Sequence, residues 1–231
     1  MGKDAVIRGR TEVTWLSGGL WIAVGNDALL VDVPAGIERV LGARLGQLQA
    51  IVLTGGSPRA VGGLVPLLCA LEPWRDAEAE LPVHVPIGED RGAALADAWV
   101  RHWPDRFPVT VDAERPGSTF DVGPFRVATF EVRAGEPRWR TATVEPSVAV
   151  AVRVLTGDLT VVLVPAASPS TVVERACRDA DIAVIEVAVV GWPTTAERWR
   201  PTAEEALHLS AGAKEVWLIG DDGNWLGSDE T

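Results

Sequence analysis

Cysteine is scarce in this chain: two among 231 residues, Cys69 and Cys177. They are too few and too far apart for a zinc cluster. Both lie in apolar, helix-patterned contexts and read as buried thiols of a reducing compartment. No stretch reaches the ~18 uncharged apolar residues that a membrane helix needs. Residues 1–4, Met-Gly-Lys-Asp, begin the sequence without the apolar core of a signal peptide, and Val6 stands where a myristoylation signal has Ser or Thr. The expectation is a cytoplasmic protein with no membrane partner. Basic residues are outnumbered, 21 Lys and Arg against 32 Asp and Glu, for a net charge of −11. An acidic surface repels phosphate backbones, which argues against nonspecific nucleic-acid binding. Tyrosine is absent and phenylalanine occurs four times, yet there are ten tryptophans. Most of these suit a Trp-rich core. Trp192, Trp199 and Trp225 stand in Pro- or Gly-rich segments that read as loops, and Trp192 and Trp199 are candidate interface anchors for a protein partner or a second copy.

What is present is a large apolar fraction, 47%, with 23 Gly and 16 Pro for turns. That suits one domain spanning residues 1–231. Residues 19–33 read as two strands joined by the turn 25–27, the second buried on both faces. A helix is expected over 36–47, a strand over 50–53, a helix over 62–71, a strand over 82–87 and a helix over 89–103. The latter carries Leu95, Ala98, Trp99 and His102 on one face. Short strands follow from 108 to 154, then a hairpin turn at 156–158 into a strand over 159–164. Helices over 170–178 and 202–211 alternate with strands over 181–187 and 215–219. Two strand–helix halves imply two sheets face to face with helices outside.

Six segments resemble, in order, the metallo-β-lactamase superfamily, in particular its RNase Z and phosphodiesterase branch. Residues 28–33, ALLVDV, resemble its LLIDCG strand. Residues 53–64, LTGGSPRAVGGL, resemble its signature LTHxHxDHxGGL. Residues 81–86 resemble its LPVYGP strand, and 147–164 its hairpin. Residues 179–186, DADIAVIE, resemble GADLLIHE, and 201–220 resemble its closing TPEEAAELA…GVKRLVLTH. The resemblance implies an α/β sandwich of αββα layers, two mixed sheets flanked by helices. It also implies one or two zinc ions held by His and Asp ligands that activate a water.

Residue by residue, the ligands are missing. The signature's histidines fall on Gly55, Ser57 and Ala60 and its Asp on Arg59. The later His falls near Arg133 or Ala134, the bridging Asp on Ala166 and the terminal His on Gly220. Arg59 sets a permanent cation where a metal ligand is required. The surrounding scaffold, Thr54 and Gly62-Gly63-Leu64, remains. No zinc or other cofactor is therefore expected. The chain reads as a pseudo-hydrolase that binds, regulates or scaffolds.

Two other readings stay open: a divergent hydrolase with a non-standard site, and a sensor holding a small anion in the old cleft. The candidate contacts in that cleft are Thr54, Gly55, Gly56, Ser57, Arg59, Ala60, Arg133, Ala166 and Gly220, with Ser57, Arg59 and the loop amides at a helix start holding the anion. The plainer reading of the loop is a relic that only needs to turn. His84 and His208 read as structural histidines, and His102 as the cation ending a helix. Glu186 ends an apolar strand and is a candidate buried acid or base, or a buried partner of a cation. Residues 221–224, Asp-Asp-Gly-Asn, lack the spacing and Glu of a calcium loop and read as a solvated turn.

Overall fold

The computed structural model describes residues 5–138, 143–188, 200–220 and 225–230. The first half of the chain builds β1 (Ala5–Arg8), β2 (Thr11–Trp15), β3 (Leu20–Val24), β4 (Asp27–Val31), α1 (Ile37–Leu41), β5 (Leu48–Val52), α2 (Pro58–Val61), α3 (Leu64–Leu71), β6 (Leu81–Pro86), α4 (Asp90–His102) and β7 (Val109–Glu114). The second half builds β8 (Thr119–Val122), β9 (Phe125–Arg138), β10 (Thr143–Leu155), β11 (Thr160–Val164), α5 (Thr171–Cys177), β12 (Ile182–Glu186), α6 (Ala203–Leu209), β13 (Glu215–Ile219) and β14 (Trp225–Glu230).

Among the described residues each half supplies one seven-stranded sheet, ordered β1 through β7 and β14 back through β8. In the first sheet β1–β4 are antiparallel and β4–β7 parallel. In the second, β11–β13 are parallel and the remaining neighbours antiparallel. Side-chain alternation sorts the apolar residues into three layers. Leu29, Val31, Ala50 and Val52 meet Val152, Val161, Ile182 and Trp217 between the sheets. Trp21, Leu30, Ile51 and Val83 face outward against Leu64, Leu67, Leu68 and Trp99 of α3 and α4. Ala183, Ile185 and Val216 face α5 and α6. Strands buried on both faces explain the unbroken apolar runs. The expected αββα sandwich is what the chain forms.

The differences from the sequence reading are local. The helix expected over 36–47 stops at Leu41, because Gly42 takes φ 51 and a 3-10 segment, Gly42–Gln47, follows. The helix expected over 62–71 is preceded by the short α2. Strand β13 is not the last. β14 pairs with it antiparallel, so Trp225 opens a strand rather than lying in a loop. Cys69 is exposed, since the buried face of α3 is Leu64, Leu67, Leu68 and Leu71; Cys177 is buried, and burial pushes its thiol up to about 12. On α4 the buried stripe is Gly92, Ala96 and Trp99, which turns His102 outward. Among the described residues no helix is long and apolar enough to cross a membrane.

Candidate functional site

The signature-like loop leaves β5 at the end of the sandwich where the parallel strands point. Asp32, just past β4, takes φ 63, a left-handed conformation that Asp tolerates better than most residues. Its amide bonds the Val52 carbonyl at 2.9 Å, which turns its carboxylate inward. There Oδ1 accepts from the Thr54 amide and Oδ2 from the Thr54 hydroxyl, each at 2.7 Å. Burial pushes the Asp32 carboxyl from its ordinary 3.8 up to about 7, and the negative charge of Glu186 adds to the rise. The two Thr54 bonds and the Arg59 charge oppose it.

The rest of the loop folds back onto this corner. Ser57 caps α2 by accepting from the Ala60 amide at 3.2 Å. The Val33 amide bonds the Ala60 carbonyl at 2.7 Å, and the Gly63 amide bonds the Val33 carbonyl at 2.8 Å. A Cβ on Gly63 would lie 2.2 Å from the Pro34 carbonyl oxygen, so only glycine allows this approach. The preserved scaffold residues thus have a local physical reason.

Arg59 points across the gap between the sheets. Its Nη1 lies 3.0 Å from Oε1 of Glu186, the last residue of β12, which is 6% exposed. Nη2 of Arg200, in the segment leading to α6, lies 3.9 Å from the other Glu186 oxygen. Burial lowers the Arg200 pKa from its ordinary value; Glu186 opposes the shift and the Arg59 charge adds to it. The turn between β2 and β3 covers the Arg59 stem: Gly18 has φ 124, and a Cβ there would lie 2.9 Å from Arg59 Cγ.

Three further contacts close the loop. Gly55 forms a β-bridge with Ala149 of β10, and the Val150 amide donates to the Thr54 carbonyl at 2.8 Å. A Cβ on Gly55 would lie 3.0 Å from the Val148 carbonyl oxygen. Arg91 donates to the Gly56 carbonyl at 2.9 Å, from an α4 whose N-cap Glu89 accepts from the Arg91 and Gly92 amides.

The sequence-derived residues Thr54, Gly55, Gly56, Ser57, Arg59 and Ala60 therefore sit in one loop against Asp32, β10 and Glu186. The later positions fall on other elements. Arg133 is exposed on β9, with its carbonyl bonded by the Ser168 amide at 2.8 Å, and Ala134 is buried. Ala166 is half-buried after β11, and Gly220 is buried after β13. Trp192, Trp199 and residues 221–224 lie outside the described residues. Among the three histidines, His84 bonds Glu114 Oε1 through Nδ1 at 3.0 Å and stacks on Phe120, while His102 and His208 are exposed in the last turns of α4 and α6. Sequence reasoning singled out Glu186 but missed Asp32 and Arg200. Asp32 had one signal, a charge inside the apolar run 28–33; Arg200 had none.

This corner does not fit a divalent metal. The motif positions in the loop offer one oxygen side chain, Ser57, and it caps a helix. Both Asp32 oxygens accept from Thr54, and Glu186 faces two guanidinium groups. Among the described residues no group of three or more His, Cys, Asp and Glu is placed to hold a metal ion.

No family model matches the sequence, and no curated protein matches it significantly. The folded chain is similar to YhfI from Bacillus subtilis, a metallo-β-lactamase fold protein. Identity is 19% over 88% of this chain and 78% of that one, with a TM-score of 0.65. It is similar to the short form of human tRNase Z, at 17% identity, 87% and 83% coverage and a TM-score of 0.64. It is also similar to a diphosphatase of the PhnP family, at 15% identity, 88% and 74% coverage and a TM-score of 0.62. The two seven-stranded sheets, their order and these likenesses agree: this chain has the metallo-β-lactamase fold.

Proposed function

We propose that this protein is a metal-free pseudo-hydrolase that acts by binding, as a regulatory or scaffolding subunit. The observation that carries the reading is the Arg59–Glu186 ion pair, 3.0 Å long and enclosed between the sheets at the position of the signature's Asp. A guanidinium keeps its charge at any physiological pH. A divalent ion beside it would meet like charge in a poorly screened interior. The β10 backbone packed against Gly55 supports the same reading, because a Cβ there would crowd the Val148 carbonyl oxygen at 3.0 Å.

The small-anion reading draws less support, since Ser57 and Arg59 are turned to Ala60 and Glu186. The binding partner in this proposal is a protein or a second copy. Trp74 and Trp103, 48% and 40% exposed, are available anchors besides the expected Trp192 and Trp199. The same reading puts the protein in the cytoplasm, and two unpaired thiols support that.

A hydrolase screen tests it. Phosphodiester, diphosphate and ester substrates are offered with zinc, manganese or iron. No turnover above buffer is expected. Turnover that disappears in Glu186→Gln contradicts the proposal and favours a hydrolase with a non-standard site.

A further inference from the structure

We infer that Arg59 is a built-in cation that locks the two sheets together at the mouth of the old cleft, taking the charge-neutralising role that a bound ion would otherwise fill. The inference deepens the metal-free reading, but it rests on geometry of its own. Arg59 belongs to α2, which hangs from β5 of the first sheet, and Glu186 ends β12 of the second. Their 3.0 Å contact therefore joins the sheets rather than neighbours on one element. The Glu186 side chain is 7% exposed and that of Arg59 18%, so water screens the pair poorly.

Two further charges act at the pair: Asp32 from the end of β4 and Arg200 from the segment before α6. Asp32 and Glu186 are buried carboxylates contributed by opposite sheets. Arg59 carries charge that acts on both. The turn at Gly18 is shaped around the Arg59 stem, and any side chain there would meet it. Two backbone links, Val150 to Thr54 and Gly55 to Ala149, cross between the sheets beside the pair. The lock thus has an ionic part and a backbone part in one place.

A double-mutant cycle tests this in the full chain, with a chelator present throughout. Arg59→Met leaves the buried Glu186 with only the more distant Arg200, at 3.9 Å, and is expected to lower Tm by roughly 10 °C. Glu186→Gln is expected to cost less, because both arginines reach solvent in part. The double variant is expected to recover more than half of the Arg59→Met loss, as removing both partners removes the stranded charge. Losses that simply add overturn the inference.

Should Arg59→Met fail to fold, amide exchange in Glu186→Gln decides instead. Faster exchange at Thr54 and Val150, with Arg10 unchanged, supports the lock, and equal exchange at all three overturns it. The chelator separates this outcome from the metal-free reading. Coupling in a chain that also binds metal, as metal analysis without chelator would show, leaves the sheet-joining pair standing and removes the claim that Arg59 replaces an ion. A metal-free chain without coupling does the reverse.

Discussion

The two ends of the sandwich are both stitched by polar groups, and they differ in how those groups meet water. At one end Arg8 of β1 reaches Asp181 and Glu215 at 3.5 and 3.7 Å, and Asp158 accepts from the Arg10 amide at 2.9 Å. The Arg8 side chain is 42% exposed there, although its partners Asp181 and Glu215 are only 16% and 9% exposed, so the contrast lies in the cation. At the other end Arg59, its side chain 18% exposed, pairs across the sheets with Glu186, 7% exposed, and Thr54 holds the buried Asp32 beside them. Exposed pairs are screened and worth little. Buried pairs contribute modestly as pairs, yet breaking one strands a charge and is costly. The fold therefore tolerates change at the first end and depends on matched partners at the second.

Restoring the signature is the harshest way to break this contrast. A chain with Gly55→His, Ser57→His, Arg59→Asp and Ala60→His pushes a ring into the β10 backbone and sets a third carboxylate beside Asp32 and Glu186. It is expected to lose about 5 kcal/mol or more and to fail to fold cooperatively, as circular dichroism melting would show. A folded variant that binds zinc would mean that the corner is more plastic than its contacts imply.

Gly18→Ala comes next. Its φ of 124 strains any side chain, and the new Cβ would press on Arg59 Cγ. Denaturant unfolding should register a loss of about 1–3 kcal/mol. The same change at Gly117, which has φ 87 and nothing within 4 Å of a Cβ, should cost less.

Asp32 gives a pH signature opposite in sign to that of the Arg8 end, where burial raises the Asp181 carboxyl but Lys214, the Thr160 amide and Arg8 together hold it below its ordinary 3.8. The folded value of Asp32, about 7, is raised above the ordinary 3.8, so the folded chain holds a proton that the unfolded chain has released. The resulting stability is complete below 3.8, falls as pH rises toward 7, and changes no further above it. Within that window the slope is up to about 1.4 kcal/mol per pH unit. Asp32→Asn should flatten the profile of stability against pH, and an unchanged slope would remove Asp32 as its source. The smallest effect is expected from Arg8→Ala, under about 1 kcal/mol and shrinking with added salt.

Much of the fold was legible because burial writes itself into local sequence. The run 28–31 reads as a doubly buried strand, and it is one. Gly63 is needed because the Pro34 carbonyl occupies the place of a Cβ, and Thr54 serves Asp32 with its amide and hydroxyl. The site was legible in one direction only. Arg59 stood out as a cation on a ligand position, but nothing local links it to Glu186, which a different sheet brings within 3.0 Å. Arg200 joins through a segment without periodicity, and β14 has no apolar alternation to announce it. Long-range pairing of charges leaves no periodic trace, whereas packing does.

The most direct measurement is elemental metal analysis of the purified wild-type chain by mass spectrometry, after expression with zinc, manganese and iron supplied. With Arg59 and Glu186 paired in the corner, the metal content is expected to be far below stoichiometric for all three elements. A stoichiometric amount of any one of them, retained through dialysis, would contradict the metal-free reading.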